Sequence, residues 1–169
     1  MVITTLLTLM TTLSAEEKCA GDMLVDELSR LRDVSRITVS REMLNLLGND
    51  LLSRSGFERL SAIGDKVDCI VIFNAEGHSA QVLYLTSRDL LERYRYCDLL
   101  DASDNGSTVR VTMKAYPSWN RFVVINYNGN NDASLPETES DCHIVIFNGT
   151  MTIEEMTGTG LEPPITRSR

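Results

Sequence analysis

Asp68-Cys69-Ile70-Val71-Ile72-Phe73-Asn74 decides the reading of this chain, because it returns almost intact as Asp141-Cys142-His143-Ile144-Val145-Ile146-Phe147-Asn148. Each copy carries four consecutive apolar residues rich in β-branched side chains, closed by asparagine, with a glycine within the next three residues. A short apolar run bounded by turn residues is the pattern of a strand buried on both faces. Two such strands predict the middle of one sheet, with everything else packed around them. The second copy has one extra residue between its cysteine and its run. Side chains alternate along a strand, so Cys69 and Cys142 point to opposite faces relative to their runs. That spacing predicts buried free thiols in preference to a direct Cys69–Cys142 bond.

Upstream, Asp22–Arg32 places Leu24, Leu28 and Leu31 at helical spacing behind Asp22 as N-cap. Ser35–Ser40 alternates Ile37 and Val39 with polar neighbours, which predicts a half-buried strand. Ser40 then caps a helix over Arg41–Leu47, ended by Gly48, and a further short helix spans Gly56–Ile63. Between the two repeats, Ser79 caps a long helix. Ala80, Leu83, Ser87, Leu90, Leu91 and Tyr94 share its buried face, and Gln81, Tyr84, Arg88, Glu92 and Arg95 share the other. A strand over Ala80–Leu85 with the helix starting at Ser87 is the rival reading.

From Tyr96 the period changes to two. Cys97–Leu100 and Thr108–Tyr116 flank a turn at Asp101–Ser107, within which Asn105-Gly106 is the strong reversal signal. Arg121–Tyr127 is another strand, Asn128–Asp141 a polar loop, and Met151–Met156 a final helix with Thr152 and Glu155 as a capping box. The predicted class is α+β: an antiparallel meander of four to five strands, a long helix packed on one face, and short N-terminal helices.

At 169 residues with 43% hydrophobic side chains, the chain suits one domain with a real core. The expected division is a leader at 1–15, a domain at 16–157 and a flexible tail at 158–169. The formal net charge of −8 argues against nucleic acid, which needs a basic face to neutralise phosphates. The dense arginines, Arg88, Arg93 and Arg95, stand among Asp89, Glu92 and Asp98 and read as a solvated helix face. No charged side chain occurs before Glu16, and the apolar stretch ending at Ala15 resembles a signal-peptide core, too short to span a bilayer comfortably. Export to the periplasm or cell envelope is the expectation. Any membrane association would be peripheral and not through a transmembrane helix. Because no Lys or Arg precedes the stretch, an amphipathic first helix on a cytoplasmic chain stays open. The four cysteines form no C-x-x-C, which removes the zinc and thioredoxin-like readings.

Catalytic constellations are missing from the pattern. His78 and His143 are the histidines, one at a helix start and one in a strand, and both read as structural. Neither a Gly-x-Ser-x-Gly elbow nor a His-Glu-x-x-His helix occurs, and no glycine-rich phosphate loop does. No catalytic, cofactor-binding or metal-ligating residue is therefore assigned. The carboxylate pairs Asp98 with Asp101 and Glu154 with Glu155 read as surface acids, although such pairs serve glycoside hydrolysis. Tyr116, Trp119, Arg121 and Tyr127 gather aromatic and guanidinium groups around a turn and form the candidate partner-contact patch. In the competing reading Trp119 folds back over the sheet edge.

The order of these pieces resembles a family of secreted bacterial proteins, the domain of unknown function 4252 (DUF4252). The resemblance is carried by Ile37-Thr38-Val39-Ser40-Arg41-Glu42-Met43-Leu44, by Val67–Phe73, and by the helix-to-hairpin segment Leu90-Leu91, Tyr96–Leu100 and Asn105–Val111. Phe122–Tyr127 and Gly149–Met156 complete it, over about Leu28–Met156. It implies an exported α+β domain of Gram-negative envelopes and carries over no catalytic residue. Many members have a charged residue or two at the N-terminus, which this chain lacks. The expected function is a non-enzymatic envelope domain that binds a protein partner in a signalling or stress-response system. A small periplasmic hydrolase using paired carboxylates, or a small-ligand carrier, is the alternative, and the oligomeric state is left open.

Overall fold

A computed structural model describes residues 22–46, 64–129 and 140–158 of the chain. The leader, the helix at Gly56–Ile63, the Gly48 stop, most of the loop before Asp141 and the tail beyond residue 158 lie outside the described residues.

The first described element is α1 (Met23–Ser29), where Asp22 Oδ1 accepts the Leu24 amide at 2.7 Å and satisfies one of the four amide donors at the helix start. Its Leu24, Val25 and Leu28 are buried. Next comes β1 (Ser35–Ser40), after which Ser40 Oγ accepts from the Met43 amide at 3.3 Å and residues 41–46 are helical. A 3-10 turn, Gly64–Lys66, leads into β2 (Val67–Glu76). Helix α2 (His78–Arg93) follows, then β3 (Cys97–Asp104), β4 (Ser107–Ala115), β5 (Asn120–Asn128), β6 (Asp141–Gly149) and α3 (Ile153–Gly158).

The six strands among the described residues pair antiparallel in one sheet ordered β1-β2-β6-β5-β4-β3. The class is α+β, but six strands replace the four to five expected, and the sheet is not one meander. Strands β3 to β6 follow one another, whereas β2 joins on the far side of β6 and β1 forms the edge. The reason lies in the repeated run. A strand apolar on both faces is stable only with a neighbour on each side, so the two copies pair with each other and take the centre. Ile70 lies opposite Phe147, Val71 opposite Ile146, Ile72 opposite Val145 and Phe73 opposite Ile144.

This register sorts the side chains between two cores. Val71, Phe73, Ile144 and Ile146 pack under α1 and α2 with Val123, Ile125, Leu83 and Leu91. On the other face Ile70, Val145, Phe147, Phe122 and Val124 pack against Met151 and Met156. The two runs are out of phase with one another, and the extra residue in the second copy cancels the difference. Cys142 is therefore buried in the helix-side core, and alternation from Val71 places Cys69 on that same face at the sheet's other end. Cys142 is a free thiol, but Cys69 is disulfide-bonded to a partner outside the described residues, which corrects the expectation of two free thiols.

Three other boundaries move. The reversal between β3 and β4 is Asn105-Gly106 alone, with φ 47° and 87°, the primed two-residue turn that matches strand twist. Asp101–Asp104 belongs to β3, because an edge strand tolerates polar side chains that read as loop. Helix α2 starts at His78 behind Gly77, which offers no side-chain cap, not behind Ser79, and it buries Ala80, Leu83, Ser87, Leu90 and Leu91. Helix α3 begins two residues late, with the capping box in place. The Thr152 amide donates to Glu155 Oε2 at 2.9 Å, and the Glu155 amide to Thr152 Oγ1 at 3.3 Å.

Candidate functional site

The turn between β4 and β5 is closed by the Tyr116 amide donating to the Trp119 carbonyl at 2.9 Å. That geometry lays the two rings on each other, 3.9 Å apart and 5° from parallel. Two residues on, alternation in β5 points Arg121 into the helix-side core, where its side chain is fully buried. A buried guanidinium needs partners. Its Nε donates to Asn148 Oδ1 at 2.6 Å, and its Nη1 pairs with the Asp22 carboxylate that also caps α1. The Tyr116 hydroxyl donates to the same carboxylate at 3.0 Å, and Asn148 Nδ2 reaches the sulfur of Cys69 at 3.2 Å. The guanidinium carbon lies 5.2 Å from the Trp119 ring centre and 5.9 Å from that of Tyr116. Burial pushes Arg121 down to about 10, so it stays a cation at neutral pH.

On the outer side of Tyr116, the Lys114 ammonium stands 5.5 Å from the Tyr96 and Tyr116 rings and 6.0 Å from Tyr94. Burial, with Tyr116 alongside, pushes the Tyr96 hydroxyl far up, and burial raises Tyr116 as well. The predicted patch is thus largely an internal tie between α1, β5 and β6. Tyr116, Trp119 and Arg121 are brought together, with Trp119 half-buried. Arg121 is no surface contact residue, because its neighbours enclose it. Tyr127 lies at the opposite end of β5, stacked on Tyr84 of α2 at 4.3 Å.

Of the carboxylate pairs, Asp98, Asp101 and Glu155 are engaged in ion pairs. Asp98 takes a two-point contact from buried Arg110, Nε to Oδ1 at 2.8 Å and Nη2 to Oδ2 at 2.9 Å, and Asp101 lies 3.7 Å from the same Nε. The hydrogen bond from Arg110 holds the Asp98 carboxyl below its ordinary range. Glu155 pairs with Lys66 and is lowered by that contact and by the Thr152 amide. A catalytic acid working at neutral pH requires the opposite shift.

The sequence reading missed the other notable surface, which is the edge at β1, left unpaired among the described residues. A row of polar side chains crosses the sheet at that end: Ser35 opposite Asn74, Asn74 opposite His143, and His143 opposite Asn126. His143 Nδ1 lies 2.8 Å from Asn74 Oδ1, and its Nε2 lies 3.6 Å from Asp141 Oδ2. Asp33, Ser35, Asn74, Ala75, Glu76 and His143 line a cleft of about 400 Å³ beside the edge. Glu76 stands directly across from Asp141, a like-charge pairing that disfavours the ladder.

The two edges of the sheet differ in kind. Along β3, Asp98, Asp101 and Asp104 are exposed and a bulge interrupts the register between Asp98 and Leu100. Charge and bulges are the usual protection against edge pairing. Strand β1 pairs with β2 in unbroken register, and Ile37 is 51% exposed. Arg36 turns to the other face, its guanidinium donating to Ser29 Oγ at 2.9 Å. The available signal was the contrast between two apolar residues in Ser35–Ser40 and four in each core run, which marks β1 as peripheral. His78 is exposed at the start of α2.

Comparison with family models, curated proteins and solved structures finds no match to this chain. Its function is read from geometry. Among the described residues, no helix is long and apolar enough to cross a membrane, and no cluster of three or more His, Cys, Asp or Glu side chains is arranged to hold a metal ion.

Proposed function

We propose that this chain is an exported, non-enzymatic envelope domain of the DUF4252 kind that binds a protein partner through the β1 edge of its sheet, in a signalling or stress-response role. The β1 edge, which no other described strand pairs, carries the proposal. A six-residue strand with an unbroken register, no bulge and an exposed isoleucine is a template for strand addition, a recurring way in which a sheet recognises an extended peptide. Opposite it, β3 carries three exposed aspartates and a bulge, whereas β1 has no bulge and its one charged side chain, Arg36, turns to the helix face. The disulfide at Cys69 supports an oxidising compartment. Acid–base hydrolysis is disfavoured by carboxylates held ionised at Asp98 and Glu155.

The experiment is site-specific photo-crosslinking in cells, with the reactive side chain placed at Ile37 on β1 or at Asp104 on β3, followed by compartment fractionation. One envelope partner captured from position 37 and not from 104 is the expected result. Capture from neither position, or recovery of the chain in the cytoplasm, refutes the reading.

A further inference from the structure

Strand addition at β1 leaves the identity of the added strand open, and the residues around the edge constrain it. The inference rests on the β1-edge reading above and goes on to name what binds there. Side chains on one face of a strand recur every second residue, so Ser35 and Ile37 face the same way, Ser35 at the mouth of the acidic cleft and Ile37 beside Ile72. A strand laid along β1 sets one side chain against Ile37 and the side chain two residues away against the cleft. The first position suits an apolar group, because Ile37 is half-exposed and Ile72 behind it is only partly covered. The second position faces Asp33 and Glu76, with Asp141 directly across from Glu76. A cation placed there relieves the repulsion between Glu76 and Asp141 that the ladder otherwise carries.

We infer that β1 receives an extended segment of a partner protein in which an apolar residue and a lysine or arginine stand two positions apart, the apolar group over Ile37 and the cation in the cleft of Asp33, Glu76 and His143. A second copy of this chain fits less well. Pairing β1 with β1 about Ile37 sets Val39 of the other copy against Ser35, and the cations within and just after the strand, Arg36 and Arg41, are already engaged. Arg36 bonds Ser29 on the opposite face, and Arg41 pairs with Asp68 at 2.6 Å. The net charge of −8 also favours a basic partner over self-association.

The test selects a displayed library of random linear peptides on the full chain with its disulfide intact. Enriched peptides are expected to carry Lys or Arg two residues from an apolar side chain and to perturb the backbone amides of Ser35–Ser40. Asp33→Asn with Glu76→Gln should weaken the best synthetic peptide about tenfold, and added salt should weaken it further. Asparagine at 33 is compatible with the positive φ of 57° there, so the double variant keeps the fold. Enriched peptides that lack a basic residue yet lose binding on Ile37→Lys overturn the basic-segment inference and leave the edge reading standing. No enrichment, or peptides indifferent to Ile37→Lys, overturns both. Dimerisation of the free protein that Ile37→Lys abolishes assigns the edge to a second copy and overturns the inference.

Discussion

Asp22 serves three elements at once, and removing its charge should harm the protein more than removing the charge it neutralises. One oxygen caps α1 and the other meets Arg121 and the Tyr116 hydroxyl. In Asp22→Asn the cap survives, because asparagine caps as well as aspartate. What is lost is the counter-charge of a guanidinium with no solvent exposure, and stranding a buried charge costs about 3–5 kcal/mol. In Arg121→Met the stranded group is instead a carboxylate with 19% exposure that still accepts from Tyr116 and the Leu24 amide, so a cost of about 2 kcal/mol is expected, from the hydrogen bond to Asn148 and the ring contacts. The double variant should sit close to Arg121→Met alone, giving a coupling of about 3–5 kcal/mol, the cost of the stranded guanidinium itself. Against a total of about 5–15 kcal/mol these differences are large. Urea titration followed by tryptophan fluorescence measures them directly, because Trp119 is the chain's single tryptophan and stacks within the cluster. An Asp22→Asn variant no less stable than Arg121→Met, or two changes additive within about 0.5 kcal/mol, would refute the reasoning.

Other expectations follow from single residues. A Cβ on Gly149 would collide with the backbone oxygen of Lys66, so Gly149→Ala should lose about 3 kcal/mol in denaturant titration, since neither strand end can move aside cheaply. Exposed Cys97 should react at once with a thiol reagent, and Cys97→Ser should remove that phase. Cys142, whose thiol burial pushes up to about 12, should react only as the chain unfolds. Asp98 has a folded-state carboxyl below its ordinary value of 3.8, so the stability it contributes is present above that value and lost as pH falls through the lower folded one. Asp98→Asn should therefore flatten the acid limb of a stability–pH curve, by under about 1 kcal/mol because the carboxylate is half-exposed.

The centre of the sheet was legible because four adjacent apolar residues have one stable environment, a strand covered on both faces. The buried face of α2 was legible for the same reason, through its period. The edges were not. Asp101–Asp104 is polar enough to read as loop, and only its pairing with β4 makes it strand. Ser35–Ser40 has the right alternation but no internal sign that it takes the edge of the described sheet. Among candidate site residues, Tyr116, Trp119 and Arg121 were found together because they are close in sequence. Nothing local, however, said that Arg121 turns inward, since its partners Asp22 and Asn148 come from distant segments. The cleft at Asp33, Glu76 and His143 was invisible for the same reason, as it is assembled from the ends of three elements.

Pairing of β2 with β6 also sets a kinetic hazard. Strand β2 is synthesised before α2 and the whole β3–β5 meander, and its complement arrives almost last. Until then Ile70–Phe73 is an aggregation-prone segment without its native neighbour, and such long-range closure is slow. The nearest substitute is the same run on another chain, because Ile144–Phe147 offers it the identical Ile-Val-Ile-Phe sequence. Refolding at high concentration should therefore favour strand-exchanged dimers and precipitate over monomer, with the yield governed by how many chains wait for β6 at once.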